Sequence, residues 1–348
     1  MSKKTVVVGM SGGVDSSVTA ALLKEEGHSV IGLFMKNWEE SDAHGVCQAS
    51  KEYDDVLRTC DVLGIPCYSV NFAKEYQTRV FDLFLRDLKA GLTPNPDVLC
   101  NREIKFDLLL AKALSLGADF LATGHYCRKD EQNRLLKGSD PGKDQSYFLY
   151  LVKPEILSKV LFPVGHLRKQ EVRALSRKFG LPTSEKKDST GICFIGKRDF
   201  KTFVAQYLGY QPGPFQTLDG ATVGQHDGCA YYTIGQRRGM GLGGEGDAWF
   251  VVGKDPVRNL VFVERGENHP ALFASSLTAS QLFWTGGSFP CRCSAKIRYR
   301  GEDAPCLLEQ TGTQKWRVTF DALQRAITPG QSVVFYKSDL CLGGAIIN

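Results

Sequence analysis

The chain has 348 residues, 43% of them hydrophobic and 23% charged, with a formal net charge of +5. That length asks for two or three domains, and the composition excludes a disordered or low-complexity chain. The mild positive balance suits a polyanionic partner without requiring one.

The opening "MSKKTVVVGM" holds an apolar run too short for a secretory leader, and no run reaches the roughly 18 residues of a membrane span, so a cytosolic protein is expected. "KTVVVGM" reads as a strand. Ser16 to Glu26 then has helix-type residues, with Val18, Ala21 and Leu22 on one face and Gly27 at the stop. "VIGLFM" (30–35) is a second strand. Ala49, Tyr53, Val56, Leu57, Cys60 and Leu63 keep helical spacing up to Gly64. "PCYSVNF" is a third strand, Tyr76 to Leu88 a long helix, and Ile104 to Leu116 another that stops at Gly117. "DFLATGHY" is the fourth strand. Short apolar strands alternating with amphipathic helices predict an α/β fold with a parallel, doubly wound sheet.

The pattern changes near residue 200, and "QPGPF" (211–215) punctuates the chain. "WFVVGKDPVRNLVFV" reads as a hairpin around Asp255–Pro256, and from about 272 only strand alternation and turns remain. The expected domains are a nucleotide-type domain over 1–205, a small β-rich central domain over 206–270 and a C-terminal β-barrel over 271–348. Eleven cysteines without an export signal argue against a disulfide framework, and with no CxxC pair no structural zinc site is expected.

"GMSGGVDSS" (9–17) sits between the first strand and the first helix. Gly12 and Gly13 allow backbone to approach phosphate oxygens, and the first N–H groups of the helix lie at its positive dipole end. Ser11, Ser16 and Ser17 can donate hydroxyls. Asp15 cannot attract phosphate by itself, so its expected partner is Mg²⁺ carried by a pyrophosphate. The loop lacks the Lys of a Walker-type loop. The bland alternative is a tight glycine turn with an Asp/Ser cap. Met35 ends the second strand and Gly124 follows the fourth, where backbone would meet a nucleoside. For Met35 the alternative is core packing.

"TPNPDVLCNREIKF" (93–106) reads as a Pro/Asn-rich loop that brings Cys100 close to a helix N-terminus, with Asp97 placed to move protons. "KKDSTGICFIG" (186–196) sets Cys193 among lysines and glycines. Cys60 and Cys67, in apolar patterns, read as inert and buried. In "CRCSAKIRYR" strand alternation would align Arg292, Lys296, Arg298 and Arg300 as a basic stripe. "HLRKQEVRALSRK" (166–178) and "GQRRG" (235–239) add a basic helix and a basic turn.

The SGGxDSS loop resembles the PP-loop of the N-type ATP pyrophosphatases, which implies a Rossmann-like adenine-nucleotide α-hydrolase domain. That family cleaves ATP between the α- and β-phosphates and passes AMP to a substrate oxygen. "GMSGGVDSSVTA", "TPNPDVLCNREIKF", "ATGHY", "KDQSYFL", "STGICFIG", "TIGQRRGMGLGG" and "KIRYR" occur in one order and together resemble the tRNA-specific 2-thiouridylase family over the whole chain. The resemblance implies ATP-dependent 2-thiolation of the wobble uridine of tRNA, with Glu, Gln and Lys acceptors. It implies a persulfide on Cys193, Cys100 as its partner, a Cys100–Cys193 disulfide after transfer, and Asp97 for proton transfer. It implies ATP on Gly9, Met10, Ser11, Gly12, Gly13, Val14, Asp15, Ser16, Met35 and Gly124, with Mg²⁺ accompanying ATP and no protein-held metal. The target base would meet Asn95, Pro96 and Asp97. Other tRNA contacts would come from His125, Lys143, Asp144, Gln145, Arg298, Tyr299 and Gln331. A sulfur-relay protein or a cysteine desulfurase would supply the persulfide, and a monomer is expected.

Two other readings remain at this point. A PP-loop ligase or amidotransferase acting on a small molecule would have no use for Cys100 and Cys193. A non-catalytic RNA-binding protein would not cleave ATP. The role of 38–50 stays open.

Overall fold

The computed structural model describes residues 3–38, 48–188 and 198–348. Cys193 therefore lies outside the described residues, as does most of the 38–50 segment. The chain separates into two compact units. The first holds 1–81, 96–197 and 339–341; the second holds 82–95, 198–338 and 342–348.

The first unit is built on β1 (Thr5–Met10), β2 (Ser29–Lys36), β3 (Cys67–Asn71) and β4 (Phe120–Ala122). A hairpin of β5 (Cys127–Lys129) and β6 (Leu135–Lys137) follows, then β7 (Val160–Leu161). The sheet order is β3-β2-β1-β4-β7, and every pairing is parallel, as the alternation predicts. Val6, Val7 and Val8 are fully buried because β1 is flanked on both edges and covered on both faces. The helices are α1 (Val14–Glu25), α2 (Gln48–Leu63), α3 over 73–89, α4 over 96–115, α5 (Pro154–Leu157) and α6 (Lys169–Lys178). Only the residues of α3 up to Phe81 belong to this unit. Gly27, Gly64 and Gly117 stop their helices with φ of +86°, +57° and +81°.

Helix α4 corrects the reading of 93–106. It starts at Pro96 rather than Ile104, so Cys100 lies inside the helix and not in a loop before it. A proline in the first turn gives up no hydrogen bond, and its fixed φ is already helical. The Pro/Asn run was a helix start. From Cys100 to Leu109 the helix is wound wider, as a π-helix, and Gln77–Phe81 in α3 is wound the same way.

The second unit contains α7 (Phe200–Leu208), whose cap is Asp199 accepting Thr202 N–H at 2.9 Å. Its first sheet combines β8 (Gly213–Gln216), β9 (Thr222–His226), β10 (Trp249–Asp255) and β11 (Leu260–Arg265) in the order β10-β11-β8-β9. The β10–β11 hairpin turns after Asp255, as expected. The barrel strands are β12 (Phe273–Trp284), β13 (Cys291–Lys296), β14 (Ala304–Gly312), β15 (Lys315–Arg325), β16 (Ser332–Lys337) and β17 (Leu340–Ile347). Their order is β12-β15-β14-β13-β16-β17, and a β12–β17 pairing closes the ring. In β15, Trp316, Val318 and Phe320 point inward between exposed neighbours, the period-2 signature of one buried face.

Leu33 is fully buried in β2 beside β1. Leu33→Ala should lower the stability of the first unit by about 2–5 kcal/mol, read as a fall in the midpoint of its urea transition.

Candidate active site

The loop after β1 leaves the middle of the parallel sheet. β1 lies between β2 and β4, the place where strand order reverses, so ligands are expected at these strand ends. Gly13 is the N-cap of α1, and the N–H groups of Val14, Asp15 and Ser16 fall in a first turn that cannot bond within the helix. Ser17 N–H and Ser17 Oγ both donate to Gly13 O, at 3.2 and 2.9 Å. Ser16 Oγ donates to the same carbonyl at 3.1 Å and accepts Ser11 N–H at 3.2 Å. The hydroxyls thus shape the turn and leave its N–H edge available for an anion.

Two glycines are required by close approach. Gly12 has φ +70°, and a Cβ there would stand 2.6 Å from the Glu52 carbonyl oxygen of α2. A Cβ on Gly124 would stand 2.8 Å from Asp15 C and from Ser16 N. The turn after β4 therefore rests against the first turn of α1, bringing Gly124 to the loop. Met35 is half-buried near the end of β2, in register with Val70 of β3.

The positive charge missing from the loop arrives from far along the chain. Lys169, in the first turn of α6, donates to Asp15 Oδ1 at 2.7 Å and Oδ2 at 2.9 Å. The Tyr126 phenol also donates to Asp15 Oδ1, at 2.7 Å. Burial first, and then the Asp15 charge, push that phenol's pKa up, so it stays a donor. Lys186 donates to Gly12 O at 2.8 Å and to Asp55 Oδ2 at 2.6 Å, pinning the loop to α2. Asp188 receives Lys143 at 2.6 Å, Lys169 at 2.8 Å and Arg173 at 2.9 Å. Burial raises the Asp188 pKa, but bonds from Lys143 and Lys169 outweigh it and hold it at about 2.

Asp15 was expected to meet Mg²⁺. Its oxygens accept from Lys169 and Tyr126, and among the described residues no group of three or more His, Cys, Asp or Glu could hold a metal. The donor set does not fit a protein-held cation. The carboxylate anchors an ammonium. Helix 166–178, expected at a tRNA surface, likewise turns Lys169 and Arg173 inward to carboxylates.

Cys100 is 1% exposed, which corrects its placement in an open loop. Beside it, Asn101 Nδ2 donates to Phe148 O at 3.2 Å, while Asn101 Oδ1 is buried without a hydrogen-bond partner. Pro96 is buried, with Asp97 partly exposed at the start of the same helix. Cys60 is buried as expected, whereas Cys67 is only half-buried. Cys193 lies outside the described residues.

Several expected tRNA contacts lie inside the first unit. His125 is buried, packed against Phe106 and Phe162, with Nδ1 bonded to Thr123 Oγ1 at 2.8 Å. Burial first, and then the Lys105 charge, lower its pKa, so it is neutral near pH 7. Asp144 is buried and accepts Gly138 N–H, Ser146 N–H and Ser146 Oγ, while Gln145 Oε1 accepts Tyr126 N–H. Their side chains build a turn. In the second unit β13 ends at Lys296, so Arg298, Tyr299 and Arg300 lie beyond it and the expected stripe is broken. Arg292 pairs with Asp321, and Arg298 donates to the carbonyls of Arg325 and Ala326. Gln331 Nε2 donates to Thr93 O at 2.7 Å. Arg237 and Arg238 are exposed.

The sequence reading missed Lys169, Asp188 and Tyr126 as site residues. The available signal was the Lys169/Arg173 spacing of four on one helix face.

Comparison with known proteins gives three family matches. Residues 4–197 match the tRNA methyl transferase HUP domain, 201–265 the tRNA methyl transferase PRC-barrel domain, and 274–347 the aminomethyltransferase beta-barrel domain. The chain is 58% identical to the tRNA-specific 2-thiouridylase MnmA of Protochlamydia amoebophila, over 99% of this chain and 93% of that protein. It is 56% identical to the protein of the same name from Bacillus pumilus, over 99% of this chain and 94% of that one. Two domain descriptions carry the words methyl transferase, but the relatives matched over the whole chain are thiouridylases. A solved structure, the U34-tRNA thiolase NcsA from Methanococcus maripaludis, is 22% identical over 59% of this chain and 65% of that one, with a TM-score of 0.39.

A methyl group at residue 124 would displace the first turn of α1. Gly124→Ala should weaken ATP binding at least about tenfold while moving the melting temperature by only a few degrees. Calorimetric titration and thermal melting of the same sample check both.

Proposed function

The chain belongs to the tRNA-specific 2-thiouridylase family, and we propose that it replaces the C2 oxygen of the wobble uridine with sulfur in two stages. In the first, ATP is held along Gly9–Ser16 with its nucleoside toward Met35 and Gly124. The C2 oxygen takes AMP, and pyrophosphate leaves. In the second, a persulfide on Cys193 delivers its outer sulfur to C2 and AMP departs. Cys100 takes part as the second thiol, and a Cys100–Cys193 disulfide remains for a reductant or a fresh sulfur donor to reset.

The observation that carries the first stage is the open N-terminal turn of α1 with two ammoniums beside it. Lys169 and Lys186 offer at this turn the charge that a Walker-type loop would carry in its own sequence. They suit a leaving pyrophosphate, since the transferred group is the α-phosphate. Mg²⁺ would come with ATP on its phosphates.

Asn95, Pro96 and Asp97 would face the target base, with Asp97 moving the proton. That base must leave its stack to reach the nucleotide. Lys143, Arg237, Arg238, Arg298, Tyr299 and Gln331 are the candidates for tRNA contact, with glutamate, glutamine and lysine tRNAs as substrates. Asp144 and Gln145 hold the turn that carries Lys143, through Gly138, Ser146 and Tyr126. A sulfur-relay protein or a cysteine desulfurase would load Cys193, and the chain would act as a cytoplasmic monomer. No helix among the described residues is long and apolar enough to cross a membrane.

Mass analysis of nucleosides from tRNA incubated with the protein, Mg-ATP and a persulfide source should reveal 2-thiouridine. Cys100→Ser and Cys193→Ser should each abolish it while pyrophosphate release persists. Full thiolation by either variant would sink the paired-thiol scheme, and no pyrophosphate release from the intact protein would sink the ATP scheme.

A further inference from the structure

Asp188 is surrounded by more positive charge than a half-buried carboxylate needs. Its Oδ2 accepts Lys143 Nζ at 2.6 Å, and its Oδ1 accepts Lys169 Nζ at 2.8 Å and Arg173 Nη2 at 2.9 Å. Three cations converging on one pair of oxygens is the environment that proteins build for phosphate. The same Lys169 ammonium is bonded to Asp15 in the first turn of α1. Asp188 therefore stands one ammonium away from the anion-binding end of that helix.

We propose that Asp188 is a built-in competitor for the pyrophosphate part of ATP. In the free chain it neutralises Lys143, Lys169 and Arg173, and the β- and γ-phosphates bind by taking these cations from it. The proposal rests on the reading of this loop as an ATP pyrophosphatase site and adds a residue that opposes binding there.

The cradle keeps its shape without Asp188. Arg173 Nη1 also donates to the carbonyls of Ser184 and Lys186, at 3.0 and 3.2 Å. Lys169 is held by Asp15 and lies 5.7 Å from the centre of the Tyr126 ring. These two cations have anchors of their own, so only the carboxylate has to leave. The exchange is also accessible. Lys169 is the inner cation, with 11% of its side chain exposed, whereas Lys143, Arg173 and Asp188 are 31%, 27% and 29% exposed. A multiply charged phosphate chain can therefore reach the outer cations before the inner one. Asp188 stays ionised far below neutral pH, so the competition persists throughout the physiological range.

A competitor and an organiser predict opposite signs. Asp188→Asn keeps the shape of the side chain and removes its charge. In titration calorimetry of the full chain with sodium pyrophosphate, and with an ATP analogue blocked between the α- and β-phosphates, D188N should bind about tenfold tighter than the natural protein. D188S should shift in the same direction, and D188E should bind as the natural protein does. K169M should bind at least about tenfold weaker, and the gain from D188N should shrink in D188N/K169M, where only Lys143 and Arg173 remain to be released. Unchanged or weaker binding by both D188N and D188S, with melting temperatures like that of the natural protein, would overturn the proposal and leave the ATP reading standing. If D188N melts early, the sign given by D188S decides. A natural protein that binds neither probe would remove the ATP reading, and this inference with it.

Discussion

One ammonium joins the parts of the proposed phosphate site. Lys169 Nζ is shared by Asp15, in the first turn of α1, and Asp188, 19 residues further along. A helix N-terminus offers only about half a unit of positive charge. Anion binding there gains from a full cation, and this loop contains none. The fold delivers the charge from Lys169 of α6 and from Lys186 beyond it. As a consequence, the proposed nucleotide site depends on tertiary structure that a Walker-type loop does not need, because that loop carries its lysine itself. Any ligand that engages these lysines also stabilises the packing of α6 on α1 by mass action.

The second constraint is distance between backbones. Gly12 lies against the Glu52 carbonyl, and Gly124 against the first peptide of α1. Each contact removes the room for a side chain, and each joins the loop to a different neighbour of β1. Lys186 adds a polar tie from Gly12 O to Asp55 of α2. The loop is thus fixed on the α2 side, the α6 side and the β4 side. An anion site with so many supports loses little order on binding, which is the condition for strong electrostatic stabilisation.

The legible part of the molecule is the part governed by local pattern. The apolar strands, the glycine stops and the β1–loop–α1 junction follow from residues within one element or its ends, and they appear where periodicity puts them. The start of α4 was misread because proline and asparagine favour turns and helix starts alike, and only packing decides between them. Residues beyond Lys296 were misread because alternation continues in the sequence after the strand has stopped. His125 and Asp144 were expected at a tRNA surface only through the motifs that resemble the thiouridylase family, and both are buried and satisfied inside. Lys169 was the hardest to see. It meets Asp15 across 154 residues, and no local spacing encodes such a contact.

The surroundings of Cys100 differ in character from those of Asp15 and Asp188. Cys100 is buried at the first residue of a ten-residue π-wound stretch, and a second π-wound stretch, Gln77–Phe81, packs on it. This winding is rare in protein helices and is frequent at functional positions. Two such segments in contact, one beginning at the cysteine that the sequence motif singles out, show backbone regularity given up where a thiol is held. The neighbouring Asn101 Oδ1, buried without a partner, belongs to the same pattern. Burial also shields Cys100 from chance oxidation, since susceptibility follows thiolate character and exposure. The ion pairs around Asp188 are thus partly open to solvent, whereas Cys100 is closed off from it. Under the proposed two-stage scheme that difference is useful: anions exchange at the ion pairs, while the Cys100 thiol stays protected.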